Sequence, residues 1–510
     1  MQWLNDIADQ AVKRCPDGEI IVSSGVSPSG TYHLGTLREV MTAEAIAAEL
    51  VRRGRKARHL HVVDDLDVLR KIPAGLPVDY EKYLGKPLCD VPSPDGKAAS
   101  YADYFLNDLV AAAKELKLKM AIVRSHEKYR AGFFVPAIEK SLDSLEAIKK
   151  ILTKVSGRSL DEQWSPVQVI EGGYLKTRQF VSLDEGAKIL EYLDSDGKKQ
   201  SVGYAEGDVK LNWRIDWPAR WWLLKVDVEP FGRDHATKGG SYDTGAAISR
   251  KVFKAEPPLP LPYAFINRTG ETKKMSKSAG DTITAAELLK ILPPEAVWYF
   301  LLRYAPDKQL FFDSGPTLIR LFDEFAELLA KTKKTASEKQ LIELCLDSVD
   351  KPTISSVPFS HLVASYQAAL KDPQLTLDII SRSEHAKAAG EQAEVIKREL
   401  KFIDHWLKTY APPEAKFELS QKIDVSSFGD TEKKCLSVLA DKISSAPKAA
   451  DGEWFHKTIY GLAEELNLAP KEVFAALYKA LIGKTSGPRA GWFLSILPRD
   501  WLIARLRLES

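Results

Sequence analysis

A short strand, a glycine- and serine-rich turn, a long amphipathic helix and a second strand fill residues 19–63, and that order leaves few folds open. Residues 19–22, Glu-Ile-Ile-Val, read as a short apolar strand, residues 23–30 read as a turn, and residues 36–53 place Leu37, Val40, Met41, Ile46 and Leu50 near helical spacing. Arg55 and Lys56 turn the chain into a second apolar strand at residues 60–63. Strands joined through a helix at this spacing run parallel, and a parallel sheet needs helices over its faces. Ligands of such sheets sit at the carboxyl ends of the strands. There the chain puts its two chemically richest segments, residues 23–33 and 64–67.

At 510 residues the chain is too long for one core, and two to four domains are expected. The fold class predicted is α/β, a doubly wound parallel sheet interrupted by an insertion and followed by an all-α region. Residues 1–73 form the first half of the sheet domain. Residues 74–209, a mixture of helical stretches and loops, are the insertion. Residues 210–320 return to the sheet with Trp213 to His235 and a strand around residues 263–266. Beyond Thr282 the periodicity is helical, at residues 285–292, 294–303 and 318–329, and residues 321–510 form the helical region.

Bulk composition excludes more than it assigns. A hydrophobic share of 45%, a charged share of 28% and a mean hydropathy of -0.22 are ordinary for a soluble globular protein. The 72 basic and 70 acidic residues leave a net charge of +2, which neither shows nor excludes a basic face, because clustering makes such a face. Cys15, Cys89, Cys345 and Cys435 are far apart and form no Cys-x-x-Cys pair, against a zinc ribbon or a disulfide framework. The N-terminus, with Asp6 and Asp9 among apolar residues, reads as an amphipathic helix and not a signal peptide. No apolar run is long enough to span a bilayer, so the cytoplasm is the expected compartment, with no membrane partner.

Two motifs carry chemistry. Pro28-Ser29-Gly30-Thr31-Tyr32-His33-Leu34-Gly35-Thr36 leads from strand to helix. A helix start offers free N–H groups to an anion, His33 can donate to a phosphate oxygen, Gly35 lets a flat ring lie on the backbone, and Thr36 adds a hydroxyl. The plainer alternative is a common turn with a capping histidine. Lys273-Lys274-Met275-Ser276-Lys277-Ser278 is a basic loop suited to the charge that grows on a leaving pyrophosphate; alone, it reads equally as a solvated lysine run.

Together, in this order, the two motifs resemble the signatures of class I aminoacyl-tRNA synthetases. His33-Leu34-Gly35-Thr36 is similar to the HIGH element with threonine in its last place, and Lys274 to Ser278 matches KMSKS. Further segments resemble the class I lysyl-tRNA synthetases: Asp216-Trp217-Pro218-Ala219-Arg220-Trp221, Glu229-Pro230-Phe231-Gly232-Arg233-Asp234-His235, Gly239-Gly240-Ser241-Tyr242-Asp243 and, near the end, Gly487-Pro488-Arg489-Ala490-Gly491-Trp492. The resemblance implies a Rossmann-like (HUP) catalytic domain that joins L-lysine to ATP, giving lysyl-adenylate and pyrophosphate. Transfer to the 3′ end of tRNA(Lys) follows, with tRNA needed before activation is efficient.

It also implies site residues. His33, Thr36, Lys274 and Lys277 would be catalytic. Pro28, His33, Gly35, Gly232, Asp234, Lys274, Met275, Ser276 and Lys277 would contact ATP and its Mg2+. Gly25 and Ser27 would hold the α-amino end of lysine, with Asp65, Trp213, Trp217, His235, Tyr242 and Tyr263 around its side chain. An ammonium taken out of water needs carboxylate or aromatic partners, and these residues supply them beside strand ends. Arg489 would touch tRNA, among basic residues at Lys331, Lys333, Lys334, Lys484, Arg499, Arg505 and Arg507, while Trp492 and Phe493 read as closing a helical core. Many relatives carry cysteine pairs in the insertion; here residues 164–173 and 196–200 have none, so no structural zinc is expected. A monomer is the default expectation. Two rival readings stay open: a nucleotidyltransferase with the same phosphate chemistry, and a synthetase-like protein that only binds tRNA.

Overall fold

The N-terminal residues form the helix their pattern predicts, α1 (Gln2–Arg14), burying Leu4, Ile7, Ala8 and Ala11. The computed structural model describes residues 1–73, 75–157, 159–161, 164–269, 284–420, 422–447 and 450–509. The first difference from the sequence reading is at Ser23. Strand β1 (Ile20–Val26) runs on into the first half of the expected turn and pairs in full register with β2 (Ala57–Val63), from Ile20↔Ala57 to Val26↔Val63. Serine signals a turn because an unpaired hydroxyl avoids the core. Here it is paired: Ser24 Oγ lies 2.7 Å from His59 Nε2 and 2.8 Å from His61 Nδ1. His59 Nδ1 in turn lies 2.8 Å from Glu44 Oε2, on helix α2 (Leu34–Arg52). All four side chains are buried, which denies this Glu–His–Ser chain any contact with a substrate.

The sheet then grows in both directions from β1. Helix α3 (Tyr101–Glu115) leads to the short strand β3 (Ala121–Arg124), so a strand of the main sheet lies within residues 74–209, where only the insertion was expected. After the insertion, α4 (Trp213–Leu224), β4 (Val228–Gly232), α5 (Ser241–Ile248) and β5 (Leu259–Tyr263) complete it. The order is β5-β4-β1-β2-β3, all parallel. The chain therefore reverses its direction of growth beside β1, and β1 meets β4 at a single register pair, Val22↔Val228. Such a switch point leaves a crevice at the carboxyl ends of the two strands. Pro260 and Pro262 alternate along β5, which is possible because β5 is an edge strand with one side unpaired. A parallel pair, β6 (Ile266–Arg268) and β7 (Leu310–Phe312), stands beside this sheet.

Within the insertion, six strands stand where loops were expected. Val167–Glu171, Tyr174–Thr177 and Val209–Leu211 form one antiparallel sheet, and Gln179–Asp184, Ile189–Leu193 and Lys199–Gly203 another. Gly172 and Gly173, at φ 58° and 83°, make the tight hairpin that joins the first pair. The chain divides into two compact units, Met1–Leu289 with Trp298–Phe312 and Lys339–Ser348, and Lys290–Val297 with Asp313–Glu338 and Val349–Ser510. The second unit is helical, around a core that includes Leu436, Leu439, Ile459, Leu477 and Phe493. No helix among the described residues is long and apolar enough to cross a membrane.

The serine–histidine chain makes stability depend on pH. Burial, then the neighbouring His59, lowers the His61 pKa from 6.5 to about 3. The unfolded chain therefore takes up a proton near the ordinary value that the folded chain refuses, so this contribution is full above that value and is lost as pH falls toward 3. Urea midpoints measured between about pH 7 and about pH 4 should fall more steeply for the natural chain than for His61→Gln. Parallel slopes would refute the assignment.

Candidate active site

A cavity of about 630 Å³ opens at the carboxyl ends of the strands, beside the switch point. The end of β1 (Val26, Ser27), the first turns of α2 (His33, Gly35, Thr36, Arg38, Glu39), the segment after β2 (Asp67, Val68, Arg70, Lys71) and Tyr263 and Phe265 all line it. Of the residues expected from sequence, the fold thus gathers Ser27, His33, Gly35, Thr36 and Tyr263 in one place. Pro28 is buried under the turn and is not part of the wall. Ser27 Oγ is buried and has no hydrogen-bond partner among the described residues, which marks it as a group that a ligand would satisfy.

His33 is the N-cap of α2, and its Nδ1 accepts from Gly35 N–H at 3.0 Å. That fixes the tautomer: in the neutral ring the proton sits on Nε2, the nitrogen suited to donate to an anion. Two expectations change. The N–H groups of Gly35, Thr36 and Leu37 are all taken up by His33 itself, so this helix start offers an anion the imidazole and the Thr36 hydroxyl in place of bare backbone. The flat ring for which Gly35 makes room is also that of His33, since a Cβ at residue 35 would stand 2.8 Å from its Cε1.

Sequence reasoning missed Glu39. Its Oε1 accepts from Gly25 N–H at 2.8 Å and its Oε2 from Tyr263 O–H at 2.7 Å, which holds a half-buried carboxylate in the cavity wall. The signal was its spacing: Glu39 is one helical turn beyond Thr36 and shares its face. Gly25, expected at the α-amino end of lysine, gives its N–H to Glu39; its lack of a side chain admits Val62 O, 3.2 Å from where a Cβ would be.

The acidic segment after β2 sorts itself by partner. Asp65 is fully buried, pairs with Arg124 and accepts from His126 N–H at 2.8 Å, so it serves the fold and not the cavity. Asp64 pairs with Arg220 at 2.7 Å and with Lys210 at 3.6 Å. Arg220 also pairs with Asp216, which accepts from Tyr129 O–H at 2.5 Å. All five of these side chains are buried. Burial alone would raise the Asp64 carboxyl; Arg220 and Lys210 outweigh it and hold it below its ordinary value. Asp67 alone of the three lines the cavity, its carboxyl pushed up by burial and then by Asp64.

Apart from Tyr263, the expected aromatic residues form one cluster. Trp213 stacks on Trp217 at 5.2 Å, both lie within 6.0 Å of the His235 ring, and Tyr242 stacks on Phe231 at 5.1 Å. Trp217 and Tyr242 are committed elsewhere. The Trp217 and Trp221 indoles both donate to Glu229, whose carboxyl burial pushes up to about 7, and Tyr242 O–H donates to Pro258 O at 2.7 Å. Trp213 and His235 are half-buried at the edge of the cluster. Gly232 ends β4 beside Phe265, and Asp234 is exposed just beyond it. Lys274, Met275, Ser276 and Lys277 lie outside the described residues. Among the described residues no group of three His, Cys, Asp or Glu side chains could hold a metal ion.

In the helical unit most of the basic residues singled out are bound internally. Lys334 donates to Leu329 O and Lys331 O, Lys484 to Pro413 O and Lys416 O, Arg499 to Ala446 O and Pro447 O, and Arg505 to Ser420 O. Lys331 pairs with Glu338 and Arg507 with Asp441. Arg489 is exposed at the start of the helix Ala490–Ile496, Phe493 is fully buried, and Trp492 packs 4.2 Å from His361.

Residues 1–346 match the family described as tRNA synthetases class I (K), and residues 375–508 match an anticodon binding domain. The chain is 36% identical over 540 residues to lysine–tRNA ligase 1 of Methanosarcina acetivorans, spanning 100% of this chain and 98% of that protein. It is 36% identical over 510 residues to the lysine–tRNA ligase of Archaeoglobus fulgidus, spanning 99% of each. To that of Thermococcus kodakarensis it is 32% identical over 526 residues, spanning 100% of each.

Arg220 balances two buried carboxylates, and Arg220→Met leaves Asp64 and Asp216 with Lys210 as their one buried cation among the described residues. The variant should lose about 3–5 kcal/mol of stability, read from its urea midpoint and slope. A loss below about 1 kcal/mol would show that Lys210 alone suffices.

Proposed function

The chain belongs to the class I (K) tRNA synthetases, and from that premise we propose that it is a lysine–tRNA ligase, with tRNA(Lys), L-lysine and ATP as its substrates and the cavity at the switch point as its active site. The observation that carries the reading is the pairing, in one cavity, of a donor suited to phosphate, His33, with a carboxylate–phenol pair suited to an ammonium, Glu39 and Tyr263. The match of residues 375–508 to an anticodon binding domain speaks against the nucleotidyltransferase alternative.

In the first half-reaction a carboxylate oxygen of lysine attacks the α-phosphorus of ATP in line, the bond to pyrophosphate breaks, and lysyl-adenylate forms. In the second, a hydroxyl of the tRNA 3′-terminal ribose attacks the lysyl carbonyl carbon and AMP leaves. No covalent enzyme intermediate is needed; the residues act by positioning and by balancing charge. Glu39 supplies the counter-charge that a desolvated ammonium requires, and Tyr263 holds Glu39 in place. Ser27 Oγ meets the amino acid at the end of β1, and the half-buried rings of Trp213 and His235 meet its side chain. His33, through Nε2, and Thr36 donate to the phosphates. Gly232 and Asp234 contact the adenosine. Lys274 and Lys277, in KMSKS, neutralise the leaving pyrophosphate, and Mg2+ arrives with ATP as part of the substrate. Binding of tRNA precedes efficient activation.

Exchange of pyrophosphate into ATP, run with each amino acid and with or without tRNA(Lys), tests the reading. Lysine should support exchange, strongly increased by the tRNA; equal exchange with glutamate, arginine or cysteine would overturn the lysine assignment. Glu39→Gln keeps the shape and removes the charge, and should raise the KM for lysine roughly 10- to 100-fold with a smaller change in kcat, the scale of one charge-assisted contact. For Arg489→Ala the expected loss is larger for tRNA(Lys) than for a tRNA with an altered anticodon, with lysine and ATP affinities nearly unchanged. Equal losses would make Arg489 a plain phosphate contact.

A further inference from the structure

We propose that Lys71, with Arg70 beside it, is a phosphate-binding ledge of this cavity; the proposal rests on the synthetase reading and adds to it a contact from the segment after β2. The charges of the cavity wall lead there. Its described cations are Arg38, Arg70 and Lys71, and its carboxylates are Glu39 and Asp67. Arg38 is buried and spends its guanidinium on the carbonyls of Pro306 and Lys308, both at 2.8 Å, and of Phe265 at 3.3 Å. Arg70 reaches both oxygens of Asp67, at 2.8 and 3.1 Å, through Nη2 alone, and the rest of its fork remains on the rim. Lys71 is exposed, and no carboxylate among the described residues stands within ion-pair distance of it.

The segment that carries these two cations is firmly held. Leu69 is fully buried, its N–H donates to Lys86 O at 2.9 Å, and its carbonyl accepts from Gly85 N–H at 2.9 Å. Leu88 N–H closes the same turn onto Asp67 O at 2.9 Å. The backbone that carries the two cations is thus fixed beside the cavity, and an anion that binds between them and His33 has only their side chains to order. The chemistry they fit is a phosphate oxygen, either of the ATP triphosphate or of the acceptor-end backbone of the tRNA.

Lys71→Ala and Lys71→Arg in the full-length protein separate the two sources by equilibrium binding, which needs no turnover. If the ledge serves ATP, titration calorimetry will give Lys71→Ala an ATP dissociation constant about tenfold weaker, with tRNA(Lys) binding unchanged. If it serves the tRNA, ATP binding will stay the same while tRNA(Lys) affinity falls and its dependence on log salt flattens by about 1. Lys71→Arg should restore either loss. Both affinities unchanged in Lys71→Ala would overturn the proposal. Absence of exchange with every amino acid in the unaltered protein would overturn the synthetase reading instead, and that result comes from a separate assay.

Discussion

Two aspartates, an arginine and a lysine, ionised and shut away from water, sit where β2 ends and α4 begins, and the arrangement of the cavity depends on their staying paired. Each charge alone would cost several kcal/mol to bury; Asp64, Lys210, Asp216 and Arg220 are tolerable only as a set. Asp64 opens the segment that goes on to Asp67 and Arg70 in the cavity wall, while Asp216 and Arg220 hold the helix that starts at Trp213. The Asp-Trp-Pro-Ala-Arg-Trp segment thereby gains a physical explanation. Residues 216 and 220 share one helix face, and 217 and 221 the next; the first face carries the charges, and the second hangs two indoles on Glu229.

Much of the fold was legible because it is written locally. The period of α2, the apolar run of β2 and the helices of the last third each announce themselves within a few residues. What escaped depends on partners distant in the chain. Ser24 looks like a turn residue until His59 and His61 arrive from the next strand. Asp65 and Asp67 look equivalent until Arg124 claims the first. Glu39 is an ordinary helical glutamate until Gly25 and Tyr263 bring it to the cavity. Of the expected site residues, the turn at His33, Gly35 and Thr36 is in the cavity wall while Asp65 is not, because a carboxylate's place is fixed by what pairs with it.

The same reasoning explains why net charge was silent about the helical unit. Lys334, Lys484, Arg499 and Arg505 donate to main-chain carbonyls, so they act as fasteners for helix ends and loops. A count of basic residues cannot separate such fasteners from a solvated face. Arg489, exposed at the start of its helix, belongs to the smaller group still available to a partner.

The alternating prolines of β5 have a consequence beyond their tolerance at an edge. A parallel sheet with a free margin is a template on which another chain's backbone can dock and propagate. Pro260 and Pro262 put two residues without N–H on that margin, and at the other end β3 is only four residues long and turns at once into the helix Ser125–Arg130. Both margins are therefore poor templates for a further strand, while the crevice at the strand ends is left untouched by either device.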